Sequence, residues 1–407
     1  MSSSYRNVAA LAAGVGSLSC WMAVQGQELY WQPQVSFTGT YNTNVELTPI
    51  AADKQSAEGY IGDLASLIGI ATPTSQTTLR PDVRYDYYPQ DTSLNRLEAF
   101  LDVNSQFSWQ RDRFSILARA DRRTDLSAEQ PEAQFNPVNP GLPTTPTTGR
   151  VVANETRNEV YIVPSYSHSL TPLSDLGLSA TYQRMSFSPD DQFDHVDYNY
   201  YQGRPYYDFQ YSQRTLITVG AFASHYDAVN IDSVSKDYGG DVEVRHDWSP
   251  IFRSTVEVLY QRTTLDQISP NPFHDRTNDW GATFETQYTA QADRLKLIFG
   301  RSILPSSAGS LYNTDQVQFQ YEHDFTERLT FTGAVLYQRI GTLASNFASD
   351  TRNYATTGVF LRWMMTPVIF VKGGYSYIWQ KFQLDPNSAA NNQVLLQFGY
   401  LARGRQR

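Results

Sequence analysis

Between Leu97 and Trp109 the apolar residues Leu97, Ala99, Leu101, Val103, Phe107 and Trp109 share one parity, and Glu98, Asp102, Asn104 and Gln106 share the other. A period of two puts the apolar side chains on one face of a β-strand and the polar ones on the opposite face. The pattern returns along nearly the whole chain, as in Phe114, Ile116, Ala118 and Ala120 set against Arg113, Ser115, Arg119 and Asp121. A mean hydropathy of -0.45 is too polar for a bundle of transmembrane helices. The apolar faces must therefore meet something other than a large soluble core. A closed antiparallel transmembrane β-barrel, all-β and lipid-facing, fits the alternation.

The alternating segments are joined in two ways. Tight polar or Pro-bearing turns lie at Gln110–Asp112, Thr171-Pro172, Ser249-Pro250, Thr326-Glu327 and Thr366-Pro367, which marks hairpins. Longer connections run from Thr124 to Ala153, Asp266 to Arg276 and Gln383 to Asn391. Short turns on one side and long loops on the other belong to outer-membrane barrels. The segments number about 18, with 16 as the alternative, and an even count returns both termini to the periplasm. They start with Val35 to Glu46, Tyr60 to Ala71 and Thr77 to Tyr88, include Tyr198 to Tyr211, and end with Asn392 to Ala402. Pro81, Pro164 and Pro205 fall inside strands and remove a ladder donor, so bulges or strand ends are expected there. The strands, about 11 to 17 residues long, exceed the usual 5 or 6 of a soluble sandwich or propeller.

The only long apolar stretch, Val8 to Val24 behind Arg6, has small residues at Val24 and Gly26 ahead of Gln27. It reads as a signal peptide spanning residues 1–26, followed by one barrel domain over 27–407. Cys20, the single cysteine, lies within that leader. It is expected to be discarded with the leader rather than lipidated, which excludes disulfide and thiolate-metal chemistry in the mature chain. Many of the 27 tyrosines fall near strand ends, as Tyr85, Tyr87 and Tyr88 do, and Tyr375 and Tyr377 beside Trp379. This reads as an aromatic girdle at the membrane interfaces.

No Walker loop, dinucleotide fingerprint, HExxH or nucleophile elbow is present, so no catalytic, cofactor or metal site is assigned and no enzyme is expected. Of the six histidines, His168 adjoins a short turn, and Asp194-His195-Asp197 lies in a long loop. That loop group could hold a metal or activate water, but an acidic loop histidine reads first as solvated surface. His225, His246, His274 and His323 lack ligand spacing. A barrel this wide holds water, a loop or a plug in its lumen. By parity the lumen receives Arg113, Arg119, Arg157, Arg204, Arg245 and Arg253, with Glu98, Asp102, Asp121, Glu159, Asp208, Asp241, Glu243 and Glu257. Neither sign dominates, and with Tyr200 and Tyr206 the mixture suits a neutral or weakly charged polyhydroxylated solute. The net charge of -9 argues against nucleic acid as a partner. The Pro-, Thr- and Asn-rich segment Glu129 to Gly149 reads as a mobile outer loop rather than one folded into the mouth.

The opening of the mature chain, VSFTGTYNTNVELTP over Val35 to Pro49, is followed by an acidic spacer, Thr77 to Tyr88 and Leu94-Asn95-Arg96. It resembles outer-membrane barrels of the beta-barrel-porin-like type encoded with exopolysaccharide export systems, including the exosortase (PEP-CTERM) associated group. The resemblance implies passage of a polysaccharide through the outer membrane of a Gram-negative bacterium. It also implies outer-membrane lipid, lipopolysaccharide and the barrel assembly machinery as partners, with periplasmic polysaccharide-export components. It carries no catalytic residues. A general diffusion porin and a structural or adhesive barrel remain open beside it.

Overall fold

The computed structural model describes residues 28–50, 53–135, 155–188, 195–229, 231–267, 272–343 and 351–402. The signal-peptide segment and much of the Glu129 to Gly149 loop lie outside the described residues. Eighteen strands make one antiparallel sheet. They are β1 (Glu28–Asn42), β2 (Ala57–Thr72), β3 (Ser75–Tyr87), β4 (Arg96–Ser108), β5 (Asp112–Thr124) and β6 (Thr156–Thr171). Next come β7 (Ser174–Ser188), β8 (Tyr198–Ser212), β9 (Thr215–Ala228), β10 (Ser233–Ser249), β11 (Phe252–Gln267) and β12 (Phe273–Thr289). The wall is completed by β13 (Asp293–Pro305), β14 (Leu311–Thr326), β15 (Leu329–Thr342), β16 (Arg352–Met364), β17 (Ile369–Phe382) and β18 (Ala389–Leu401). A single turn of helix, α1 (Asp125–Ala128), follows β5.

Each strand pairs with its sequence neighbours, and β1 pairs with β18 from Gln34↔Leu401 to Asn42↔Gln393, which closes the cylinder. Closure leaves no open sheet edge to solvate, a condition for crossing hydrocarbon. Leu401 N–H donates to Val368 O and Ala402 N–H to Pro33 O, so β18 ends at the rim carrying the short turns. The longer connections collect at the other rim.

The alternation sorts as expected. Val242, Val256, Val258, Tyr260 and Trp280 are exposed on the outer face of β10–β12, while Asp241, Glu243 and Glu257 point inward. Exposed large apolar side chains continue around the cylinder, from Val35 and Phe37 on β1 through Leu97, Leu178, Phe299 and Val359 to Leu396 and Phe398 on β18. A belt of that extent far exceeds the apolar patches that soluble monomers leave in water. This is the architecture of an outer-membrane barrel. Exposed aromatics concentrate toward the two strand ends: Trp31, Trp109, Tyr211, Trp248 and Trp363 near the short turns, and Tyr41, Tyr60, Tyr87, Tyr201 and Tyr377 near the long loops. Tyr88 is the exception in its cluster, buried at 2% against Leu94 and Val45.

Several expectations shift. β1 begins at Glu28 and stops at Asn42, because Asn44 turns the chain, its Oδ1 accepting from Thr48 N–H and Leu47 N–H donating to Asn44 O. The connection expected over Asp266 to Arg276 is largely strand, with Asp266↔His274 and Leu265↔Asp275 paired. β18 likewise begins before Asn391, at Ala389. Pro81, Pro164 and Pro205 neither end a strand nor bulge it. Around Pro81 the pairs Ala65↔Asp82 and Ile68↔Leu79 keep one register, and Ile162↔Tyr182 with Ser165↔Ser179, and Gly203↔Ala223 with Tyr206↔Gly220, do the same. The missing N–H interrupts the ladder on one side only, while Pro81↔Leu101, Ile116↔Pro164 and Leu178↔Pro205 hold on the other.

Candidate functional site

The lumen is crossed by the chain itself. After β5, α1 turns inward, held by Glu98 of β4, whose Oε1 accepts from Thr124 N–H and Oγ1, both at 3.1 Å, and from Ser127 Oγ. The segment that follows, Glu129 to Phe135, reaches the far wall. Arg352 Nη2 of β16 donates to Glu129 O at 2.6 Å, and Tyr354 Oη to Pro131 O at 3.0 Å. Gln318 Nε2 of β14 donates to Ala133 O at 3.1 Å, and Phe135 N–H to Gln320 Oε1 at 2.9 Å. Lys296 Nζ of β13 stands 4.7 Å from the centre of the Phe135 ring. β14 lies nine places from β5 in a ring of eighteen, so this inner loop spans a diameter. The described part of Glu129 to Gly149 is thus fixed in the mouth rather than mobile outside it. Its carbonyls could not remain buried without partners, and the glutamines, arginine and tyrosine of the far wall supply them.

Other connections close in beside it. Leu47, 1% exposed, packs with Ala133, Leu336 and Tyr354, and its carbonyl accepts from Gln380 Nε2 at 3.0 Å. Gln130 Nε2 donates to Val45 O at 2.9 Å. Across the mouth, the β13–β14 connection is tied to β9 and β10. There Tyr226 Oη donates to Ser306 O at 2.7 Å and Ser233 Oγ to Gly309 O at 2.8 Å. Small apolar clusters, one around Tyr354 and another around Tyr198, Tyr226 and Met185, fill the space between loops and wall.

The charged residues expected to line the lumen do not share one environment. On β4–β7 they form interlocked rows. Asp102 lies opposite Arg119 and Asp121 opposite Glu159 and Phe100, while Arg123 lies opposite Arg157. Arg119 Nε is 3.4 Å from Asp102 Oδ1, Asp121 pairs with Arg123, and Arg157 Nη2 is 3.3 Å from Glu159 Oε2 and 3.9 Å from Asp121 Oδ1. Gln183 Nε2 donates to Glu159 Oε1 at 2.8 Å. Arg157 and Glu159 are each 2% exposed. Both are sealed from solvent near the long-loop end of β6.

A second group stands more openly. Arg204 of β8 passes over Gly220 of β9 to grip Asp241 of β10, its Nε 2.9 Å from Oδ1. A Cβ on Gly220 would lie 2.7 Å from Arg204 Nε and 2.6 Å from Asp241 Oδ1, so the missing side chain there is what lets the pair form across the strand between them. Glu243 faces Glu257 in register nearby, and Arg245 is half-buried one inward step further along β10. Arg113, next to its short turn, is exposed. Arg204, Asp241, Arg245 and Glu257 are therefore together, and Arg113 and Arg119 stand apart from them on β5.

His195 is not solvated surface. It is 1% exposed, stacked on Phe187 at 4.6 Å between ring centres, and its Nδ1 is hydrogen-bonded to Glu155 Oε2. Burial opposes charging the ring, but the Glu155 hydrogen bond and the carboxylates of Asp125 and Glu129 outweigh that and raise its pKa above the ordinary value. The sequence singled out His195 but none of the three carboxylates, which come from stretches 40 or more positions away along the chain.

No family model matches the sequence, and no characterised protein matches it in a sequence search. Among solved structures it is similar in architecture to OccK2 (OpdF) of Pseudomonas aeruginosa in complex with glucuronate. The identity is 11% and the TM-score 0.45, over 93% of this chain and 100% of that one. OccAB3 of Acinetobacter baumannii gives 9% and 0.42 over 92% and 99%, and the outer membrane protein opdK of Pseudomonas aeruginosa 8% and 0.41 over 91% and 98%. No residue role or solute passes from them to this chain.

Proposed function

We propose that the protein is a passive outer-membrane channel for small hydrophilic solutes, narrowed at its outer mouth by its own inner loop. The observation that carries this reading is the Glu129 to Phe135 segment, bonded to Arg352, Tyr354, Gln318 and Gln320 on the wall opposite its origin. A barrel of this width holds water unless something fills it, and a crossing segment divides that water into narrower passages. The mixed charges around Arg204, Asp241, Glu243 and Glu257 suit a polar solute of little net charge and give no ladder of one sign.

Exopolysaccharide export, implied by the resemblance of the first strands, is the finer alternative. The crossed mouth weighs against it, because a bulky chain needs the loop displaced, and periplasmic export components would have to drive that. A general diffusion porin differs only in selectivity. Planar bilayers and proteoliposomes distinguish these readings. Steady ion conductance and swelling with mono- and disaccharides but not with long dextrans are expected. Arg204→Glu should shift the ion preference toward cations. Silent bilayers would remove the channel reading in favour of a structural barrel, and loss of surface polysaccharide in a deletion strain would favour export.

A further inference from the structure

Asp125 and Glu129 flank α1 four positions apart, where Glu129 N–H donates to Asp125 O at 2.8 Å, so both carboxylates leave the same side of the turn. His195, from the connection before β8, is brought against them. One ligand atom from each of the three lies within 4.8 Å of the others, with His195 Nε2 3.9 Å from Asp125 Oδ1. The three side chains and Glu155 are all at 1% exposure or less.

We propose that Asp125, Glu129 and His195 bind a divalent transition-metal ion of the Zn²⁺ or Mn²⁺ type, with Glu155 positioning the imidazole. Metal–ligand bonds of about 2.0–2.2 Å place neighbouring donor atoms about 3 to 4 Å apart, and the three donors, all within 4.8 Å of one another, close on an ion with each moving by less than about 1 Å. The ring is already oriented for it. His195 Nδ1 is hydrogen-bonded to Glu155 Oε2, so the ion would take the place of a proton on Nε2, on the side where Asp125 lies. A carboxylate on the far nitrogen is the arrangement that orients metal-ligating histidines. Glu155 Oε1, buried beside it, has no hydrogen-bond partner among the described residues. Phe187 holds the ring from its face.

Charge points the same way. Among the described residues the carboxylates of Asp125, Glu129 and Glu155 surround His195, and Arg352 Nη1 is 3.7 Å from Glu129 Oε2. An imidazole nitrogen among the donors favours a transition ion over Ca²⁺ or Mg²⁺, which prefer oxygen alone. The ion would join the root of the inner loop to the connection before β8, two segments of the mouth that belong to different hairpins. The site stands independently of the channel reading.

Calorimetry on the full barrel in detergent, stripped with chelator and titrated with ZnCl₂ and with MnCl₂, tests it. One ion per chain is expected. His195→Ala and Glu129→Gln should remove that binding while the barrel still migrates as a folded species without heating. Glu155→Gln should retain one site with affinity lowered about 10- to 100-fold. Failure of the unsubstituted barrel to bind either ion stoichiometrically would overturn the proposal, and so would undiminished binding by the folded His195→Ala and Glu129→Gln proteins.

Discussion

Arg157 and Arg204 point to the same side of the wall yet differ in what surrounds them. Arg157 is sealed among Asp121, Glu159 and the loops, whereas the Arg204 side chain keeps 23% of its surface accessible beside Asp241. Removing one member of a buried charge group strands the others in low dielectric, at a cost of about 3–5 kcal/mol. Arg157→Ala is therefore expected to lower stability by about that amount, read from urea-induced unfolding in lipid vesicles, with Arg204→Ala costing distinctly less. The outer face makes the companion case. Val258, 50% exposed, faces lipid, and Arg near the bilayer midplane costs about 2–4 kcal/mol there. Glu257 next to it faces Glu243 across the ladder, where a cation would be welcome. Val258→Arg should impair assembly far more than Glu257→Arg, as scored by the fraction of heat-modifiable protein in membranes, and equal effects would refute the assigned faces. Which way each of these side chains points was legible in the sequence, since parity is a local property. How deeply each is covered was not. Alternation carries no information about a segment arriving from elsewhere, so Arg157 and Arg204 look alike until the inner loop is in place.

At the level of elements, the strands were recoverable from period-two patterning and the hairpins from turn residues, down to Thr171-Pro172 and Ser249-Pro250. The inner loop was not. Its stretch AEQPEAQF shows no period and is polar enough to pass for surface. The partners that hold it, Gln318, Gln320, Arg352 and Tyr354, are 185 to 223 positions away. The prolines misled for a physical reason. A lost N–H matters to one neighbouring strand only, and a closed wall with an intact ladder on the other side absorbs the gap without changing register. The anchoring side chains give the loop a specific test. Arg352 bonds the Glu129 carbonyl and Gln380 Oε1 and lies against the Glu129 carboxylate. Arg352→Ala should therefore release the loop and raise single-channel conductance in planar bilayers, whereas a conductance unchanged from the parent would show that the loop does not gate the passage.

For the molecule as a whole, the asymmetry of the two rims sets its orientation. Long extracellular loops and short periplasmic turns are the rule for such barrels, so the rim bearing Asn387 should face outward and the rim bearing Glu327 should face the periplasm. A cysteine at Asn387 is expected to react with an impermeant maleimide on intact cells, and one at Glu327 only after the outer membrane is opened. The converse labelling would invert the assignment.

A cylinder whose wall is one backbone thick resists stretching around its girth, because every hydrogen bond in the ring opposes it, but it yields easily to flattening. The segment bonded at one end to Glu98 and at the other to Gln318, Gln320 and Arg352 works as a cross-brace against that deformation. Lateral pressure from the bilayer is then carried by a strut as well as by the wall. Spin labels on β5 and β14 should accordingly report a narrow spread of distances across the mouth in lipid, and a broad one once the brace is cut by Arg352→Ala.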